Sequence, residues 1–169
     1  MLCYSQIMLI DSYIIPECIA GPGSFGGLMA LYESNFIKLT RLVGELKKLD
    51  PGYLSVTPGD CDLYLTVNFS SKYTHALTLT YLFEEPEGIV ADPDLRVRVY
   101  LDARMTEVRG WAAHHRHTVL KNLAQQLNCE LDRRWFQNMM LSKWLDYLID
   151  MGHAFSPLSE SQLPEAVLS

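Results

Sequence analysis

An α+β domain built on an antiparallel sheet is the fold class this sequence predicts. Three observations carry that reading. Apolar residues recur at spacings of three and four from Leu28 to Leu49, and again from Asp132 to Met151. Between these segments, from Asp62 to Trp111, the apolar period drops to two. The turns inside that middle stretch are too short for parallel crossovers, which take a dozen or more residues. Strands joined in this way are antiparallel neighbours, and the flanking amphipathic helices bury their stripes on the apolar sheet face. The expected architecture is a meander sheet of four or five strands, packed on one face by an N-terminal and a C-terminal helix.

Residues 1–27 read as an arm followed by a loop. A short strand is expected through Tyr13-Ile14-Ile15, and Gly21-Pro22-Gly23-Ser24-Phe25-Gly26-Gly27 is too rich in small and rigid residues for a regular element. The first helix spans Leu28 to Leu49. Leu28, Tyr32, Phe36, Leu39, Val43 and Leu46 form its inner stripe, with Glu33, Ser34, Lys38, Arg41 and Glu45 outside. Lys47 and Lys48 suit the negative end of its dipole, and Asp50-Pro51-Gly52 stops it.

The first strand, Asp62–Phe69, sends Leu63, Leu65, Val67 and Phe69 one way, and Ser70-Ser71-Lys72 turns the chain into Tyr73–Phe83. In that second strand Leu77, Leu79, Tyr81 and Phe83 point inward. Glu84–Pro93 reads as an acidic loop. A third strand follows with Leu95, Val97, Val99 and Leu101 inward and Arg96, Arg98 and Tyr100 outward. Asp102-Ala103-Arg104 is a tight turn into a last strand ending near Trp111. A short helix is expected over Thr118–Leu127. The final helix starts at an Asp132 N-cap, buries Phe136, Met140, Trp144, Tyr147, Leu148 and Met151, and ends at Gly152. Residues 28–153 therefore form the domain, and 154–169 a flexible tail.

Composition narrows the function. The 169 residues suffice for one domain with its own core. A formal net charge of −6 argues against duplex nucleic acid, whose binders need a surplus of Lys and Arg. A local basic strip remains compatible with a small anionic ligand. The four cysteines are scattered without a Cys-x-x-Cys pair, which fits a reducing, cytoplasmic setting. The apolar run Ile7-Met8-Leu9-Ile10 is broken by Asp11, and no stretch approaches the roughly 20 apolar residues that span a bilayer.

Two stretches resemble a known family. Leu28–Phe36, with Glu33-Ser34-Asn35-Phe36 inside it and then Leu39 and Leu42-Val43, is similar to the opening of YqiB-like proteins of proteobacteria. Their pattern there is an acidic residue, any residue, Asn, then an aromatic. The strand and turn from Val97 to Val108 match that family best, and Trp144-Leu145 with Gly152-His153 fit its ending. The chain departs from the pattern at Leu101, where the family commonly has His, so no role of that His carries over. After Trp111 a histidine-rich run replaces an aromatic-Asp-Tyr-Pro-Asn stretch. The resemblance covers roughly Leu28 to His153. It implies a fold and a cytoplasmic setting within an uncharacterised family, and no reaction.

Three candidate sites stand out. Arg96, Arg98 and Tyr100 share a strand face, to which Asp102, Arg104 and Glu107 add charge and Tyr64 a hydroxyl; Arg109 lies close by. Arginine forks of this kind bind phosphate or carboxylate, although cross-strand ion pairs on a solvated face would use the same residues. His114, His115 and His117 suggest metal, yet neighbouring histidines diverge and no Cys, Asp or Glu completes a set, so a solvated connection is the plainer reading and no metal or cofactor is expected. The Gly21–Gly27 loop precedes a helix but lacks the Lys-Ser or Lys-Thr of a phosphate loop. No hydrolase elbow or zinc-protease motif is present. The expectation is a non-catalytic binding or regulatory protein that meets a protein partner or small anionic ligand on its arginine-bearing face. An enzyme or sensor for a small phosphorylated metabolite or nucleotide is the alternative, and a homo-oligomer remains open.

Overall fold

The computed structural model describes residues 23–86, 88–111 and 130–164. In chain order these hold α1 (Phe25–Val43), β1 (Gly52–Ser55), β2 (Leu63–Ser70), β3 (Thr74–Glu85), β4 (Gly88–Ala91), β5 (Leu95–Tyr100), β6 (Met105–Trp111), α2 (Glu130–Asp150), β7 (Ser156–Leu158) and a 3₁₀ turn, Glu160–Gln162. The sheet runs β6-β5-β3-β2-β1-β7, with β4 paired to the far end of β3, and every pairing is antiparallel. The α+β class holds, with seven strands among the described residues rather than four or five. The arm at residues 1–20, the helix expected over Thr118–Leu127 and the histidine run lie outside the described residues.

The three additional strands have local causes. β1 is short and lay hidden between a helix end and a loop. β4 forms because the supposed acidic loop folds back on itself after Pro86, pairing Glu85 with Gly88 and Leu82 with Ala91. β7 forms where a flexible tail was expected, by pairing Leu54 with Ser156 and Gly52 with Leu158. Leu163 then packs so close to Gly52 that a Cβ there would fall 2.5 Å from its Cδ2.

Helix α1 starts earlier and ends earlier than its apolar pattern. Ser24 is the N-cap, its Oγ accepting from the Gly27 N–H at 3.1 Å, so Phe25, Gly26 and Gly27 are its first turn and not a loop. Gly44 ends it at a φ of 88°, a left-handed conformation that glycine enters without a Cβ penalty. Lys47 and Lys48 therefore lie beyond the helix. Leu46, outside the helix, still packs into the core.

In α2 the buried face is rotated from the one expected. Gln137, Asn138, Leu141, Ser142, Leu145 and Leu148 are buried, whereas Tyr147 is exposed and Phe136, Met140, Trp144 and Met151 are half-buried. Asp132 sits within the first turn, Glu130 being the first helical residue. The rotation follows from polar contacts that hydrophobicity does not register. Lys38 of α1, placed by its spacing on the outer face, donates to Asp146 Oδ2 at 2.6 Å and to Ser142 Oγ at 2.7 Å. Asn35 Nδ2 donates to the Asn138 carbonyl at 3.3 Å.

Leu63, Leu65, Leu77, Leu79, Leu95, Val97 and Val99 form the sheet side of the main core, meeting Phe36, Leu39 and Leu42 of α1 and Leu141, Leu145 and Leu148 of α2. A register shift between Val67 and Phe69 interrupts the alternation of β2, leaving Phe69 exposed rather than inward. Phe83 is likewise more exposed than its position in the alternation suggests. The second face of the sheet is not simply solvated: Thr66, Thr78 and Thr80 are buried there. A second apolar cluster, Leu28, Leu31 and Tyr32 with Met105, Leu131, Trp135 and Met139, joins the N-terminal halves of both helices to β6.

Candidate functional site

The described residues bring together one strongly polar, partly buried group, and Glu107 is its centre. Register places Glu107 opposite Arg98, and Tyr100 opposite Met105. Glu107 is only 4% exposed. Its Oε1 accepts from the Tyr100 hydroxyl at 2.8 Å and from Arg109 Nη1 at 3.2 Å, while its Oε2 accepts from Arg134 Nη1 at 3.1 Å. Arg134 extends the chain of charges to Glu130 Oε1 at 2.8 Å, and Glu130 also holds Arg133. A buried carboxylate is tolerated only when paired and hydrogen-bonded, and Glu107 meets that condition. It pairs with Arg109 and Arg134 rather than with its register partner Arg98. Burial raises the pKa of Tyr100, and its bond to Glu107 adds to the rise. The Tyr32 hydroxyl is buried beside Arg134; burial raises its pKa and the guanidinium opposes the rise. Hydrogen bonding pushes the Arg134 pKa upward, fixing it as a cation.

Asn138 supports this group from below. Val108 faces Val97 across the last strand pair, and its N–H points off the edge of the sheet. Asn138 Oδ1 accepts that N–H at 2.9 Å, and Asn138 Nδ2 donates to the Arg134 carbonyl at 2.8 Å. One buried amide thus caps the outward N–H of Val108 and fixes the helical turn that aims Arg134.

The residues picked from sequence separate into two sets. Arg96, Arg98, Tyr100 and Glu107 lie on the same face of β5 and β6. Arg109 joins them through Glu107. Asp102 is exposed in the turn. Arg104, at a φ of 54°, swings toward α1, its guanidinium 6.0 Å from the Phe36 ring centre. Tyr64 sits on β2, two strands away from β5, roughly 10 Å at ordinary strand spacing. Sequence reasoning missed Arg134 and Asn138, which helical spacing alone cannot distinguish from solvated residues. The Gly21–Gly27 loop offers no open anion nest at Gly27, because Ser24 already takes the Gly27 N–H.

A second polar chain lies at the opposite end of the helices. The Ala154 N–H donates to Ser55 Oγ at 3.0 Å, Ser55 Oγ meets His153 Nδ1 at 2.9 Å, and His153 Nε2 meets Asp60 Oδ2 at 3.0 Å. The Tyr81 hydroxyl donates to the same Asp60 oxygen at 3.0 Å. With the imidazole proton on Nε2, every partner is satisfied in one direction. The residue types are those of a hydrolase triad, but Ser55 is 1% exposed and its oxygen already accepts a backbone N–H. This chain is a clasp that ties β1, the loop before β2 and the end of α2. Among the described residues, no three His, Cys, Asp or Glu side chains gather as a metal site.

The model of a family described only as proteins of unknown function, DUF1249, matches residues 38–154. The chain belongs to the DUF1249 family. No curated protein and no solved structure matches it. The DUF1249 match begins inside α1 and ends just after α2, so both polar groups fall within it, Tyr32 excepted. No helix among the described residues is long and apolar enough to cross a membrane.

The clasp of this DUF1249 chain predicts an acid-sensitive stability. Burial raises the Asp60 pKa, but the bonds from His153, the Cys61 N–H and Tyr81 outweigh it and the net shift is downward. A carboxylate with a depressed folded pKa contributes stability that is fully present above its unfolded pKa and is lost as pH falls through the folded value. Melting temperature should therefore fall more steeply below about pH 4, near the ordinary Asp pKa, in the wild type than in Asp60→Asn. Parallel pH profiles for the two proteins would rule the clasp out as a source of acid sensitivity.

Proposed function

We propose that this protein is a cytoplasmic, non-catalytic binding or regulatory member of DUF1249, of the YqiB-like proteobacterial kind, and that Arg96 and Arg98 with Arg109 take a small anionic ligand. The observation that carries the reading is the pairing of Glu107. Its carboxylate is engaged by Tyr100, Arg109 and Arg134, so it does not pair with Arg98 across the strands. Arg96 is exposed and Arg98 half-buried on the same face, giving a local excess of guanidinium in a chain of net charge −6. Paired forks suit the planar oxygens of phosphate or carboxylate. The ion pairs of Glu107 hold Arg109 and Arg134 in place before any ligand arrives, which lowers the entropy cost of binding.

An enzyme acting on a phosphorylated metabolite draws less support. Asp102 is exposed in its turn, and both Glu107 oxygens already accept hydrogen bonds, so neither carboxylate is poised as a base.

Thermal denaturation with inorganic phosphate, nucleoside mono- and diphosphates and dicarboxylates tests the proposal. A ligand at a hundred times its Kd stabilises by about 2.7 kcal/mol, or roughly 5–10 °C for a chain of this size. Arg98→Ala should abolish the shift while leaving the unliganded melting temperature nearly unchanged. If no anion in the panel moves the wild-type transition, the small-ligand reading fails.

A further inference from the structure

Strand register sets an aromatic ring beside the arginines. Phe69 on β2 faces Ala76 on β3, Ala76 faces Arg98 on β5, and Arg98 faces Glu107 on β6, so the four form one row across the sheet. Residues directly opposite each other on antiparallel strands send their side chains to the same face. The row therefore belongs to the face of Arg96, Arg98 and Tyr100, away from the helices.

Phe69 reaches this face only through the register shift in β2. Val67 faces Leu77, which is buried in the main core, and Phe69 faces Ala76, so β2 advances two residues where β3 advances one. The added residue is Asn68, whose Oδ1 accepts from the Thr78 hydroxyl at 2.7 Å. In an unbroken strand Phe69 would follow Leu63, Leu65 and Val67 inward. Instead its side chain is 56% exposed. Bulges re-aim side chains in this way and gather next to functional sites.

Exposure differs along the face. Thr66, Thr78 and Thr80 are buried, Ala76 and Arg98 are half-buried, and Asn68, Phe69 and Arg96 are exposed. The accessible end thus carries two guanidiniums and one ring, with only the methyl group of Ala76 between Phe69 and Arg98 in their row. Two strand spacings, roughly 10 Å, separate the Cα atoms of Phe69 and Arg98. The Tyr100 hydroxyl lies against both Glu107 and Arg98, which ties Arg98 to the preformed network.

We propose that this face takes an anion joined through a spacer of a few atoms to a planar aromatic ring, with the charged group on Arg96 and Arg98 and the ring stacked on Phe69. The inference rests on the anion reading above and names the class of ligand within it. Forked hydrogen bonds hold the charged end. Contact with an aromatic side chain accepts any flat ring, and an anion without one would leave Phe69 in water. A nucleoside monophosphate and an arylalkyl carboxylate share this chemistry.

Isothermal titration of the full chain with two ligand pairs tests it: adenosine 5′-monophosphate against ribose 5-phosphate, and 4-phenylbutyrate against butyrate. The ringed member of at least one pair should bind about fivefold more tightly or better, and that pair identifies the source of the anion. Phe69→Leu keeps an apolar side chain without a ring face. It should remove the advantage while leaving ring-free binding and the unliganded melting temperature unchanged, because Phe69 is exposed. Phe69→Trp should restore the advantage, and Arg98→Ala should weaken both members of the pair. Equal affinity within both pairs, or an advantage that survives Phe69→Leu, overturns the aromatic class and leaves the anion reading standing. No binding by either ringed anion overturns it as well, and if the thermal panel of anions is also silent, the reading beneath it falls too.

Discussion

Replacing Glu107 by Ala should destabilise the protein by about 2–4 kcal/mol, measured by urea denaturation. The loss removes the acceptor for Tyr100, Arg109 and Arg134 at one stroke. Breaking a fully buried ion pair costs more, roughly 3–5 kcal/mol. Here the side chains of Arg109 and Arg134 are 45% and 38% exposed, so water can solvate them after Glu107 is gone. Arg134→Ala should be harmful too, because it leaves the buried carboxylate with fewer partners. The double variant should then cost less than the sum of the two, by roughly 0.5–3 kcal/mol, as expected for residues in direct contact. Strict additivity would mean that Glu107 and Arg134 do not share one network, and the rationale for the anion face would weaken with it.

Asn138→Ala should cost a similar amount, about 2–4 kcal/mol, from an orphaned Val108 N–H and the space left by the side chain. Asn138→Leu isolates the first part. Leucine fills most of the volume but offers no acceptor, so it should cost about 1–3 kcal/mol, the usual penalty for a buried donor without a partner. Amide exchange at Val108 should quicken in both variants while exchange in β2 and β3 follows global stability. If both variants stay within about 0.5 kcal/mol of wild type, as ordinary surface changes do, Asn138 does not seal the edge of β6.

The two predictions rest on different kinds of legibility. Glu107, Arg98 and Tyr100 could be assembled from sequence because strand alternation fixes which side chains share a face once pairing is known. Arg134 and Asn138 could not. Both lie on α2, where the apolar period placed Phe136, Met140 and Tyr147 inward, and the helix instead turned polar residues to the interior. A helix chooses its buried face by total contact energy, and a buried amide with two good hydrogen bonds competes with an aromatic ring. The clasp was equally hidden, since Ser55 and His153 are 98 positions apart and only the pairing of β1 with the chain after α2 brings them together.

What the sequence determined by itself was the material of the fold: an alternating middle, two helical stripes, a turn at Asp102-Ala103-Arg104, and an acidic stretch without a single base. These are local properties, set by backbone geometry and by the spacing of apolar side chains along the chain. Tertiary structure alone decided the rest. It folded the acidic stretch into β3 and β4, drew Ser156–Leu158 into the sheet, and gave Glu107 to Arg109 and Arg134 instead of Arg98. Strand partners and ion pairs are choices among distant segments, fixed by which combination buries the most surface while leaving the fewest polar groups unmet.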